Sequence, residues 1–146
     1  MGVNKWVAIG VFALLAFVIV FMYILPPNGN YDVEITHSRS YWVASQPVSI
    51  LDVFFYSKNT TGSLNVMNNG NTTLTVTNIS VGNGALSSQV ILKPGESRLV
   101  QISNAPTGEC GSKYVYLIAI TYGMENTNMP RIEESNARPL IGKYLC

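Results

Sequence analysis

Two patterns of apolar residues divide the chain. From Trp6 to Leu25 it reads WVAIGVFALLAFVIVFMYIL, twenty residues with no charge and one glycine. As a helix this segment is apolar on every side, so lipid or similar helices must surround it, and its length suits a hydrocarbon core of about 30 Å. Pro26 and Pro27 end it. The predicted organisation is a transmembrane or packing helix over residues 1–27 and an all-β domain over residues 28–146. Trp6 and Tyr23 suit interfacial anchoring, whereas Trp6, Phe12, Leu14, Phe17 and Phe21 are the candidates for packing against neighbouring helices. Lys5 and the α-amino group precede the run, and Asp32 and Glu34 are the first charges after it. The positive-inside bias therefore places the N-terminus in the cytoplasm and the domain outside. A cleaved secretory signal is the competing expectation, but its apolar region is usually about 7–15 residues and no small-x-small site follows here.

Beyond Asn28 the apolar period changes to about two, and short runs alternate with Gly, Pro, Asn and Ser clusters. The predicted strands are Tyr31–Thr36, Tyr41–Ala44, Val48–Tyr56, Ser63–Met67, Thr73–Val81, Ser88–Leu92, Ser97–Ser103, Lys113–Tyr122 and Leu140–Leu145. Within Thr73–Val81 the inward set Leu74 and Val76 slips to Ile79 and Val81, which predicts a bulge near Thr77–Asn78. Asn69-Gly70 reads as a hairpin turn, and Lys93-Pro94-Gly95-Glu96 as a type II turn. Many short strands without a helical period predict a two-sheet sandwich of immunoglobulin-like arrangement. Lys113–Tyr122 places Val115, Leu117 and Ala119 on one face and Tyr114, Tyr116, Ile118, Ile120 and Tyr122 on the other. It is either a central strand with tyrosines at its sheet surface or one whose second face packs on another subunit.

The charge balance then narrows the function. Nine Lys and Arg against eight Asp and Glu give a net charge of +1, which supplies no footprint for nucleic acid. Three Asn-x-Ser/Thr sequons begin at Asn59, Asn71 and Asn78. On an exported domain they are candidate N-glycosylation sites, with Asn59 and Asn71 favoured because they adjoin predicted turns. Cys110 and Cys146 are too few for a thiolate metal site. Cys110 precedes one strand-like run and Cys146 ends another. An antiparallel pairing of those runs would bring the two together as a disulfide, the alternative being two independent thiols.

Nothing in the chain resembles a catalytic centre. His37, flanked by Ser38 and Arg39, reads as a solvated side chain in a loop. Glu125, Glu133 and Glu134 sit in the connection Gly123–Arg138, without the regular spacing of a calcium loop. No cofactor and no metal are expected.

A hydrophobic helix carrying a compact β-sandwich resembles the archaeal type IV pilin superfamily, which includes the archaellins. The likeness extends over Leu64–Tyr122, through LNVMNNGNTTLTVTNISV, LKPGES and KYVYLIAITYG. The resemblance implies a structural subunit that waits in the membrane and then self-associates into a helical homopolymer at the cell surface. Its helices pack in the filament core, and its heads form an outer wall shielded by glycans. Members of that superfamily normally carry a basic residue and then glycine or alanine just before the apolar run; here Lys5 is followed by Trp6. The stator-like accessory proteins of the archaellum resemble the same arrangement. They imply an alternative, a monotopic scaffold whose sandwich binds an envelope or cell-surface partner.

Overall fold

The computed structural model describes residues 32–125, 127, 130–134 and 138–146. The apolar run Trp6–Leu25, with the packing residues Trp6, Phe12, Leu14, Phe17 and Phe21, lies outside the described residues. Among the described residues no helix is long and apolar enough to cross a membrane.

The first element corrects the sequence expectation. Where two strands, Tyr31–Thr36 and Tyr41–Ala44, were expected, a single helix α1 covers Val33–Ala44. Local chemistry favours the helix at both ends. Asp32 stands at the N-cap position with Glu34 in the first turn, and Gln46-Pro47 follows closely, where proline disfavours further helix. The buried residues Ser38 and Trp42 are four apart, so they share one helix face. That face packs on strands β1 and β10. The apparent alternation of Val33 and Ile35 therefore lost to tertiary packing. His37 belongs to this helix rather than to a loop.

Ten strands follow: β1 (Val48–Phe54), β2 (Gly62–Asn68), β3 (Leu74–Val81), β4 (Gly84–Leu86), β5 (Val90–Leu92), β6 (Ser97–Ser103), β7 (Lys113–Tyr116), β8 (Ile118–Met124), β9 (Arg131–Glu134) and β10 (Leu140–Lys143). One sheet runs β1-β2-β6-β4-β3-β8-β9 with β5 beside β3, and a second contains β10 and β7. Among the described residues the strands pair antiparallel throughout. In β2 buried and half-buried residues alternate, so Leu64 and Val66 enter the core while Ser63, Asn65 and Met67 face outward. In β3 the register shifts between Val76 and Asn78, and the buried set passes from Leu74 and Val76 to Ile79 and Val81, the expected bulge. One core joins these side chains with Trp42, Phe55, Leu92, Ile102, Ile118 and Ile120, an arrangement consistent with an all-β sandwich.

The Pro94-Gly95 turn is as expected. Gly95 has φ 75°, and the Glu96 N–H donates to the Lys93 carbonyl at 2.9 Å. Asn69-Gly70 is not a hairpin, because β2 pairs with β1 and β6 and never with β3. The connection is instead organised by Asn68, which is fully buried. Its Nδ2 donates to the carbonyls of Thr72 (2.8 Å) and Leu92 (2.9 Å), and its Oδ1 accepts the Gly70 N–H at 2.9 Å.

Two further expectations change. Lys113–Tyr122 is not one strand: Leu117 separates β7, which pairs with β10, from β8, which pairs with β3. The face assignment holds, with Tyr114, Ile118, Ile120 and Tyr122 buried while Val115 and Leu117 are exposed. The connection Gly123–Arg138 contains β9, which pairs along β8 as an edge strand. Its sequence Arg-Ile-Glu-Glu has one apolar residue, and charged edges of this kind are how sheets discourage pairing with other chains.

Candidate functional site

Three features of the domain are candidates for function: the stapled C-terminus, the sequons and a groove beneath α1. The C-terminus is built into the sheet. The Leu145 N–H donates to the Phe55 carbonyl and the Ser57 N–H to the Leu145 carbonyl, both at 2.8 Å, so Tyr56 and Leu145 form a parallel bridge. Next to it Cys110 and Cys146 form a disulfide with Cα atoms 5.0 Å apart. The expected hairpin supplies the geometry, since β10 pairs antiparallel with β7 from Lys143↔Lys113 to Leu140↔Tyr116.

Around this staple lies a cluster of aromatic rings. Tyr114 packs against Phe55 at 5.3 Å, Tyr144 at 5.2 Å and Tyr116 at 6.0 Å between ring centroids. The hydroxyls of Tyr116 and Tyr144 are hydrogen bonded at 2.7 Å. Burial pushes the Tyr114 phenol up to about 12. Burial, then the bond to Tyr116, raises Tyr144 further still. Gly142 leaves room for this packing, because a Cβ there would collide with the Tyr114 hydroxyl.

All three sequon asparagines are exposed. Asn59 sits in the connection between β1 and β2, where its Oδ1 accepts the Thr61 N–H at 2.8 Å. That bond uses the oxygen and leaves Nδ2, the atom to which an N-glycan attaches, free of it. Asn71 lies in the Asn68-ordered connection, and Asn78 projects from the β3 bulge.

The groove is bounded by α1, β1 and β10, with a volume of about 170 Å³. Its walls include Ile35, Ile50, Leu51, Val53 and Leu140, and four of its polar members are Arg39, Asp52, Lys143 and Trp42. Arg39 Nη2 pairs with Asp52 Oδ1 at 3.1 Å. The groove is not legible in the sequence because it depends on α1, whose residues alternate as strands do. The spacing of Ser38 and Trp42 was the available signal.

Among the described side chains the acidic residues do not converge. Glu125 is exposed near the end of β8, and Glu34 pairs with Lys113. Glu96 binds the Lys93 N–H and Arg98, which hold its carboxyl below the usual range. Among the described residues no group of three His, Cys, Asp or Glu side chains could hold a metal ion. In comparison with known proteins, no family model matches the chain, and no curated protein matches it in sequence.

Proposed function

We propose that this chain is a structural subunit of an extracellular archaeal filament, an archaellum or type IV pilus. In this reading its N-terminal helices pack in the core and its glycosylated, immunoglobulin-like heads form the outer wall. The observation that carries the reading is the joining of Trp6–Leu25, apolar on every face, to a disulfide-bonded β-rich domain with three exposed sequons. A helix apolar all round suits storage in lipid and later burial among copies of itself. Identical contacts repeated head to tail without closure then generate a helical homopolymer.

A second reading, a monotopic scaffold that stays in the membrane and binds an envelope partner, is favoured by the Lys5-Trp6 junction, which lacks the glycine or alanine of the pilin pattern. Electron microscopy of material sheared from cells, with mass spectrometry of any filaments, separates the two. The filament reading expects this chain as a main filament component. Filaments lacking it, with recovery of the chain only from detergent-extracted membrane, would refute that reading and favour the scaffold.

A further inference from the structure

The three sequon asparagines are alike in exposure but differ in what holds the residues after them. Asn59, Thr60 and Thr61 are all exposed, and the bond from the Thr61 N–H to Asn59 Oδ1 turns the side chain back towards the residue whose hydroxyl completes the sequon. One backbone tie, from the Ala105 N–H to the Thr60 carbonyl at 2.7 Å, holds this loop, and both of its reacting side chains stay outside. Asn71 is followed by Thr72, whose hydroxyl is buried and whose carbonyl accepts Asn68 Nδ2, and then by Thr73, whose carbonyl accepts the Glu125 N–H at 3.1 Å. Asn78 belongs to β3. The residue after it, Ile79, is 0% exposed, and Ser80 is paired with Ala119 of β8 and with Ala85 of β4. Along a strand, residues two apart such as Asn78 and Ser80 stand about 7 Å from each other.

We propose that folding sorts the sequons: Asn59 remains a glycan acceptor in the folded domain, whereas Asn71 and Asn78 accept a glycan only before the sheet closes around them. An oligosaccharyltransferase must grasp the asparagine amide and the hydroxyl two residues on together, which is why acceptor sites are surface loops. At Asn59 both lie on one exposed bend. At Asn78 the same grasp has to strip Ile79 from the core and Ser80 from two neighbouring strands. Transfer forms a bond from Asn59 Nδ2 to the anomeric carbon of the donor sugar. It breaks that carbon's bond to the lipid diphosphate, which leaves with the electron pair, and one amide proton passes to a base of the transferase. The inference rests on the glycosylated head of the reading above and adds to it the order in which glycans arrive.

The test offers the folded full chain, in detergent micelles, to a purified single-subunit oligosaccharyltransferase that requires only Asn-x-Ser/Thr, with a lipid diphosphate-linked oligosaccharide as donor. Synthetic peptides spanning each sequon are the unfolded reference, and peptide mass spectrometry reads occupancy site by site over time. Asn59 of the folded chain is expected to be modified at a rate close to that of its peptide. Asn71 and Asn78 are expected to lag behind theirs at least about tenfold, since exposing one core side chain of the size of Ile79 reduces the reactive population by about that factor or more. Asn71 or Asn78 modified as fast as its peptide overturns the proposal, as does a folded Asn59 that lags like the others. In either case the glycan expectation stands, because the peptides accept. Peptides that stay unmodified would remove both.

Discussion

The hydroxyl of Ser38 in α1 accepts the Ile141 N–H of β10 at 2.9 Å while donating to the Pro139 carbonyl at 2.8 Å. One side chain thus ties the helix to a strand about a hundred residues later in sequence and satisfies backbone groups that β7 does not reach. Ser38→Ala leaves a largely buried donor and acceptor without partners. The expected loss is about 1–3 kcal/mol, measured by urea denaturation of the two forms side by side. Unchanged stability would mean that water replaces the hydroxyl at no cost.

Asn68 makes a similar connection within the sheets, holding the carbonyls of Thr72 and Leu92 and the N–H of Gly70 from a fully buried position. Asn68→Leu preserves much of the volume but leaves three backbone groups unanswered. A destabilisation of about 3 kcal/mol is expected. Thermal or urea unfolding checks it, and hydrogen exchange should show faster loss of the Gly70 amide proton. An Asn68→Leu protein as stable as the parent would place the ordering of this connection elsewhere.

How much of this was legible in the sequence differs from element to element. The β3 bulge was readable because burial on both of its sides makes a slipped period visible in Leu74, Val76, Ile79 and Val81. The Pro94-Gly95 turn was readable because positive φ at Gly95 is a local demand. The Cys110–Cys146 pairing followed from the β7–β10 hairpin. Three other features depend on distant partners. α1 owes its form to burial of Ser38 and Trp42 against strands that come later in the chain. β9 exists because β8 offers an edge, its own sequence having little strand character. Asn69-Gly70 has the composition of a hairpin, yet Asn68 directs the chain to β3 without pairing β2 to it. The groove was illegible for the same reason, since it is bounded by α1, β1 and β10 together.

The tyrosine cluster predicts a particular response to alkali. Burial holds Tyr114 at about 12, above the ordinary value of 10.0, and Tyr144 is raised by burial and by its bond to Tyr116. The unfolded chain therefore releases these protons at lower pH than the folded chain. The stability they contribute is fully present below about pH 10 and is lost as pH rises towards 12. For Tyr114 the two-unit shift corresponds to about 2–3 kcal/mol. Denaturation at a series of pH values, with phenolate absorbance followed in parallel, should show falling stability and late-ionising tyrosines. Tyr114→Phe should flatten that dependence, and an unchanged slope would contradict the assignment.

Asn59, Asn71 and Asn78 are all exposed, including the bulge site that the sequence ranks below the others. Protein recovered from its native cell surface is expected to be heavier than the bare polypeptide. Asn59→Gln, Asn71→Gln and Asn78→Gln should each remove one glycan's mass, read by intact-protein mass spectrometry. Asn59→Gln carries an added consequence, because the bond from Asn59 Oδ1 to the Thr61 N–H is lost with it. A small loss of stability, about 0.5–1 kcal/mol, should therefore accompany that change even in unglycosylated protein. A mass equal to the bare polypeptide would remove the glycan expectation at all three sites.

The disulfide is expected to contribute more than any of these single groups. Cys110 and Cys146 are 36 residues apart in sequence, and cross-linking a loop of that size removes enough freedom from the unfolded chain to stabilise the fold by about 3–4 kcal/mol. The paired change Cys110→Ser and Cys146→Ser should lower urea stability by roughly that amount. Its local effect should be graded. Beside the bridge the Leu145 N–H donates to the Phe55 carbonyl and the Ser57 N–H to the Leu145 carbonyl, so these two amide protons should lose protection first. The amides of β3 and β8, buried at Ile79 and Ile120, should weaken only with global unfolding. Uniform loss of protection across the domain would mean that the staple supports the whole fold, and not chiefly the docking of the C-terminus beside Tyr56.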